Sequence, residues 1–337
     1  MSSRDFGSKS EPKGALRVGV IGAGVMGSNH ARVLAGLPDI HLVGVVDPLE
    51  AHRTRATELA NCRTFDGLEA LLGEGVDAVT VAAPTHLHHE IALACIAHKI
   101  HVMVEKPIAS TVDEGRDIVN AARRAGVTLM VGHVERFNPA VAAIKQAIAS
   151  EDILSIAITR VGPFPPRMSN VGVVIDLAVH DIDLIRWFTE SDIVEVQPQL
   201  SSAVAEREDI ALLQFRTASG VLAHINTNWL TPFKARNVTV ATRGKYVMGD
   251  LLTRQVTECF GFKPDGSYSM RHLPVGHDEP LRAELIAFLG SVRSGAAPAV
   301  TGDEGVASLE IATRCLETSA RPAATSSART GPRRVAG

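Results

Sequence analysis

The stretch Leu16–Asp47, LRVGVIGAGVMGSNHARVLAGLPDIHLVGVVD, decides the fold. An unbroken apolar run, LRVGVI, meets Gly22-Ala23-Gly24-Val25-Met26-Gly27. The amphipathic segment SNHARVLAGL follows, and a second apolar run closes on Asp47. Apolar runs without alternation describe strands buried on both faces, which requires helices crossing between parallel strands. At a strand-to-helix junction G-x-G-x-x-G has a mechanical meaning. Gly22 permits the tight turn, Gly24 lets a pyrophosphate approach the backbone, and Gly27 lets the helix pack on the strand, with Val25 and Met26 between them. Asp47, twenty residues past Gly27, is placed to accept hydrogen bonds from adenosine ribose hydroxyls and to repel a 2′-phosphate. The segment predicts NAD as cofactor in preference to NADP, with Arg53 and Arg55 as the counter-indication.

The same alternation continues downstream through AHRTRATELA, DAVTVAA, HHEIALACIAH, HVMVE, DEGRDIVNAARRAG and TLMVGH. It predicts a Rossmann doubly wound parallel sheet over residues 15–137. After Asn138 the character changes: ILSIAITRV, IALLQFRT, GVLAHINTNWL and NVTVATRG follow one another with few helices between them. The expectation for 138–320 is therefore a C-terminal α/β domain with a mainly antiparallel open sheet, for substrate binding and dimerisation. Helices are expected at VGVVIDLAVHDIDLIRWFT, PLRAELIAFLGSVRSG and DEGVASLEIATRCLETSA, the last free to return to the first domain. An open sheet with one uncovered face is expected to pair copies into a homodimer or homotetramer. Residues 1–14 and 321–337, rich in Ser, Gly, Pro and charge, are expected to be disordered tails.

Composition narrows the classes. With 337 residues, 45% hydrophobic and 21% charged, the chain can bury a sizeable core. A formal charge of -3 disfavours a general binder of nucleic acid or anionic membrane. Cys62, Cys95, Cys259 and Cys315 form no CxxC pair and read as reduced, packed thiols. No signal peptide or membrane span is legible, so the cytoplasm is the default compartment. His86, His88, His89, His98 and His101 lie close in sequence but show no recognised ligand spacing, and no metal is expected.

Two further motifs fall on the ligand-binding edge of the predicted sheet. Pro84-Thr85-His86-Leu87-His88 follows the strand DAVTVAA, where Thr85 can cap the next helix and face the cofactor. Glu105-Lys106-Pro107 follows HVMV, with Pro107 restricting the turn that aims the lysine. A partly buried lysine can exchange protons when desolvation lowers its pKa; the plain alternative is a surface lysine. Farther on, Asp176 and His180 are i, i+4 on a predicted helix and share a face, with Asp183 a further turn along, so the carboxylate could orient the imidazole.

Taken together, Gly22–Gly27, Asp47, Pro84–His88, Glu105-Lys106-Pro107 and Asp176-x-x-x-His180 resemble the Gfo/Idh/MocA oxidoreductases, from about Arg17 to Ala320. The resemblance implies that Lys106, Asp176 and His180 meet at the nicotinamide. Oxidising a secondary alcohol needs a base for the hydroxyl proton while hydride leaves carbon. His180 has the right unperturbed pKa, and Lys106 would stabilise the charge developing on oxygen.

The stretches Gly132–Pro139, Arg160–Pro163 and Asn228–Arg236 resemble the branch of the family that contains UDP-N-acetylglucosamine 3-dehydrogenases. Physically, Arg160, Arg167, Lys234 and Arg236 are candidates for a nucleotide diphosphate, and Trp229 for stacking on uracil or a sugar face. A solvated strand face and a core tryptophan are the plain alternatives. Arg136 and Asn138 either orient substrate or cap the next helix. The leading expectation is oxidation at C3 of UDP-N-acetylglucosamine. Its rivals are a cyclitol or free-sugar dehydrogenase and a non-catalytic NAD-sensing module.

Overall fold

The computed structural model describes residues 14–165 and 171–320. Arg167 and, apart from Gly14, both expected tails lie outside the described residues.

The N-terminal part runs β1 (Leu16–Ile21), α1 (Val25–Ala35), β2 (Ile40–Val46), α2 (Glu50–Ala60), β3 (Thr64–Phe65), α3 (Leu68–Gly73), β4 (Ala78–Val81), α4 (His88–Ala97), β5 (His101–Glu105), α5 (Val112–Ala125) and β6 (Leu129–Gly132). The six strands are parallel in the order β3-β2-β1-β4-β5-β6. β4 and β6 are buried at every residue, as strands covered on both faces must be. α5 shows local sequence signals agreeing with the fold. Thr111 and Glu114 form a reciprocal capping box, and Gly126 ends the helix in the left-handed region. The strand order reverses between β1 and β4, so the turns at the C-terminal ends of β1, β4 and β5 line one crevice.

The chain then forms α6 (Pro139–Ala147), β7 (Ile153–Pro163), a π-turn at Val174–Ala178 and α7 (Val179–Thr189). Seven strands follow: β8 (Ile193–Ser201), β9 (Ile210–Thr217), β10 (Leu222–Asn228), β11 (Leu230–Thr242), β12 (Lys245–Asp250), β13 (Gln255–Phe260) and β14 (Ser269–Leu273). α8 (Pro280–Ser294) and α9 (Gly302–Ala320) complete the described chain. The eight-stranded sheet has the order β14-β13-β12-β11-β7-β10-β9-β8 and is antiparallel except for the pair β7–β10. The expected α/β architecture with a mainly antiparallel second sheet is thus observed. Strands β8 and β12–β14 were not distinguished in the sequence.

β9 shows how that sheet divides core from outside. Ala211, Leu213 and Phe215 point inward, while Leu212, Gln214 and Arg216 face out. α6, α7 and part of α9 cover the inner face. α8 buries Leu281, Leu285 and Phe288 in the core of the first sheet. α9 contributes Val306 and Leu309 to that core, and Ile311, Ala312 and Cys315 to the second. All four cysteines are free and buried. Among the described residues no helix is long and apolar enough to cross a membrane.

Candidate active site

The turn after β1 is built around close backbone approach. Gly22 has φ +91, and a Cβ there would lie 2.6 Å from the Ala82 carbonyl oxygen. A Cβ on Gly27 would lie 1.7 Å from the carbonyl oxygen of Gly22, so any side chain would push α1 off β1. Gly24, by contrast, has nothing within 4 Å of a Cβ position, and as N-cap of α1 it gives the helix no side-chain cap. Val25 and Met26 begin the helix with exposed side chains. An open helix N-terminus with unsatisfied N–H groups fits a pyrophosphate.

Asp47 stands beside this turn. Its carboxylate accepts hydrogen bonds from Ala23 N–H at 2.8 Å and Leu49 N–H at 2.9 Å, and His52 Nδ1 lies 3.1 Å away. Arg53 donates to the carbonyl oxygens of Asp47 and Pro48 at 2.7 and 3.0 Å, which ties its guanidinium to the backbone of this turn.

At the end of β4, Thr85 opens a short 3-10 turn, Thr85–Leu87, without the side-chain cap expected of it. His88 is buried: Nδ1 lies 2.9 Å from the Pro107 oxygen and Nε2 2.9 Å from the Ala83 oxygen. Burial lowers its pKa, against the pull of those two carbonyls. A neutral ring has one N–H and can donate to only one of them, so the ring fills the space between the turn after β4 and the turn after β5. Glu105, expected at the cofactor, is also buried. It pairs with Nε2 of His30 at 3.0 Å and accepts the Lys106 N–H at 3.2 Å. His88 and Glu105 therefore shape the crevice from behind it.

The Lys106–Pro107 peptide is cis, and Lys106 reaches across to the second part of the chain. Its Nζ donates to the backbone oxygen of Asp176 at 2.8 Å and to Oδ1 at 3.1 Å. Asp176 lies in the π-turn that precedes α7. The sequence predicts one continuous α-helix on which Asp176 could orient His180. Instead the carboxylate holds Lys106, and Nδ1 of His180 is buried with no hydrogen-bond partner among the described residues. π-turns recur at functional sites because they re-aim side chains. Glu208, which sequence reasoning missed, anchors this turn. Its backbone oxygen accepts Val173 N–H at 2.9 Å and its carboxylate accepts Val174 N–H at 3.2 Å.

Burial, reinforced by the positive charges of Lys106 and Arg160 and by His133 and Arg236, drives the His180 pKa well below the ordinary imidazole range. The ring is therefore a neutral proton acceptor at physiological pH.

Several expected ligand contacts are instead internal. Arg160 is buried and donates to Asp181 at 2.7–3.0 Å and to Glu135 at 2.7 Å. Arg136 is buried between Asp183, with two bonds of 2.7 Å, and Glu304. Asn138 caps α6 by accepting Ala140 N–H at 3.0 Å. Trp229 is buried in the second core, edge-on to Phe164. Each buried guanidinium is matched to carboxylates because an unpaired charge there would cost several kcal/mol. Of the predicted diphosphate partners within the described residues, Lys234 and Arg236 remain. Arg236 donates to Glu135 at 3.0 Å while keeping its side chain about a third exposed, and it acts electrostatically on both Asp176 and His180.

The chain matches two family profiles in tandem. Residues 16–133 match the oxidoreductase family, NAD-binding Rossmann fold, and residues 143–247 match the Gfo/Idh/MocA C-terminal domain. This protein belongs to the Gfo/Idh/MocA oxidoreductase family. A UDP-N-acetylglucosamine 3-dehydrogenase from Acidithiobacillus ferrooxidans is 30% identical over 70% of this chain and 74% of its own length. An inositol 2-dehydrogenase from Rubrobacter xylanophilus is 31% identical over 89% of this chain and 90% of its own. The solved structure of the Acidithiobacillus ferrooxidans dehydrogenase superposes with a TM-score of 0.85 at 26% identity, covering 90% of this chain and 98% of that one. As a Gfo/Idh/MocA member the protein is an oxidoreductase whose N-terminal part is an NAD-binding fold.

Proposed function

We propose that this Gfo/Idh/MocA protein oxidises the C3 hydroxyl of UDP-N-acetylglucosamine to the 3-keto sugar, with NAD as cofactor. The observation that carries the reading is the Lys106 ammonium, held at 2.8 and 3.1 Å by Asp176 with the neutral His180 in its field, at the edge of the Rossmann sheet. NAD, when bound, supplies the hydride acceptor; Gly22, Gly24, Val25, Met26, Gly27, Asp47, Pro84 and Thr85 are the residues to hold it.

Lys106 has three N–H bonds and gives two to Asp176. The third donates to the substrate hydroxyl and stabilises the negative charge growing on that oxygen. His180 accepts the hydroxyl proton; burial and the surrounding positive charges keep its lone pair free of a proton, and make it a weaker base than an unperturbed imidazole. Lys234 and Arg236, alternate residues of β11, take the diphosphate. The relative that shares 30% identity over most of its length supports this substrate.

A second reading has its own support. The burial of Arg160 removes one expected diphosphate partner, and an inositol 2-dehydrogenase matches more of the chain. One assay separates them: NADH absorbance with UDP-N-acetylglucosamine, myo-inositol and glucose, together with thermal shift by UDP. Turnover of the UDP-sugar and protection by UDP support the first reading. Turnover of free inositol without UDP protection replaces it with the second. Turnover of nothing, with NAD still bound, leaves cofactor sensing.

We also propose that copies pair through the outer face of the second sheet, where Leu154, Val194, Leu212 and Leu222 are exposed. Light scattering that returns a monomer overturns this. Four buried free thiols support a cytoplasmic setting.

A further inference from the structure

The turn after β6 carries a histidine that the mechanism above leaves unused. His133 is 1% exposed, and its ring meets that of His180 edge-on, with centroids 6.1 Å apart and planes at 87°. Its Nδ1 lies 3.9 Å from Oδ2 of Asp183. Nδ1 of His133 and Nδ1 of His180 are both buried without a hydrogen-bond partner among the described residues. Buried ring nitrogens left unpaired next to a reacting group are uncommon, because each forfeits about 1–3 kcal/mol.

We propose that His133 is the second station for the substrate proton, receiving it from His180 as the alcohol is oxidised. This inference rests on the dehydrogenase reading above. The O–H bond of the substrate breaks and its proton joins the outer nitrogen of His180. The C–H electron pair leaves as hydride to the nicotinamide. His180 then gives up the proton on Nδ1 to His133 through one bridging water, since the two rings share no direct hydrogen bond. His180 is again neutral, with its proton now on the outer nitrogen. His133 holds the positive charge beside Asp183 until that proton passes to solvent with product release, when water exchange at His180 restores the starting tautomer.

The surrounding charges set the direction. His180 faces Lys106, Arg160, Arg236 and His133, all of which oppose a proton on it. His133 faces Lys106 and Arg136, which oppose one, but also the carboxylates of Asp183 and Glu105, which favour one. Burial lowers both imidazoles. A proton placed on the pair therefore runs toward His133. Arg136 clamps both oxygens of Asp183 at 2.7 Å, keeping that carboxylate fixed and ionised.

Two measurements decide it. In the ligand-free full chain labelled with 15N-histidine, acidification should protonate His133 before His180, with the His133→Gln variant giving the assignment. Protonation of His180 first overturns the relay, and this arm needs no substrate. In turnover, His133→Gln should lower kcat about tenfold at pH 7 with KM within about twofold. The deficit should shrink as pH rises and hydroxide takes over as acceptor. A deficit that is constant with pH, or that falls on KM, marks a packing role instead. If the native enzyme oxidises none of the sugars, the functional reading has failed, while the titration still decides whether His133 takes the proton.

Discussion

Glu284 on α8 lies fully buried within electrostatic reach of Glu105, and neither of its carboxyl oxygens has a hydrogen-bond partner among the described residues. Burial first, and the Glu105 charge second, raise its pKa well above the ordinary 4.5. The folded protein thus holds this proton more tightly than the unfolded chain, so stability is lost as pH rises from about 4.5 toward the folded value. Glu284→Gln should match the native protein near pH 4 and exceed it at pH 8 by about 1–3 kcal/mol. Urea midpoints at the two pH values check this; equal midpoints at both would show that the carboxyl is solvated.

Lys106→Ala should lower kcat/KM about a thousandfold while NAD affinity changes by no more than about threefold. Asp176→Asn should fall between, because the backbone oxygen of residue 176 still accepts from Nζ. Steady-state kinetics with a separate NAD titration distinguish a chemical role from a binding one; near-native turnover in Lys106→Ala would end the mechanism.

Asp47→Ala removes acceptors for Ala23 N–H and Leu49 N–H as well as the charge proposed to face the ribose. The KM for NAD should rise about tenfold or more, and the preference for NAD over NADP should narrow. An unchanged ratio of kcat/KM for the two cofactors would remove Asp47 from cofactor selection.

Arg160 and Arg236 both donate to Glu135 but should separate in experiment. Arg160→Met leaves the buried Asp181 without its partner, while Glu135 keeps Arg236 and Asn138, and should cost about 3–5 kcal/mol of stability. Arg236→Ala should cost less than about 1 kcal/mol, since the side chain is partly solvated, and should instead raise the KM for a UDP-sugar. Melting curves and substrate titrations on the two variants test the division; a stable Arg160→Met would mean the buried network is dispensable.

The parts of this protein that were legible in sequence are those in which cause and effect are close along the chain. The Gly22–Gly27 turn, the apolar strands and the E-K-P turn each declare themselves within a few residues. The second site layer did not, because ion pairing is decided across elements. Arg160 on β7 finds Asp181 on α7 and Glu135 beyond β6, and no spacing rule foretells that these would be sealed together. Trp229 is likewise buried, edge-on to Phe164 just past the end of β7. The π-turn is not legible in sequence because Val174–Ala178 has an ordinary helical composition, and only Glu208, from a distant loop, marks where it starts. His133 could have been found: it follows a parallel strand at the same edge as Lys106, and the rule that drew attention to one turn applies to the other.

α9, seated in both cores, ties the two sheets to each other. Arg116 and Arg123 of α5 hold its early turns through Glu310 and Asp303, and Arg314 donates to the carbonyl oxygens of Ile193 and Val194 at the start of β8. One helix thus contributes Val306 and Leu309 to one core and Ile311, Ala312 and Cys315 to the other. Parting the two sheets would bring some of that apolar surface into water, so a bound substrate would meet Lys106 and His180 as parts of one frame.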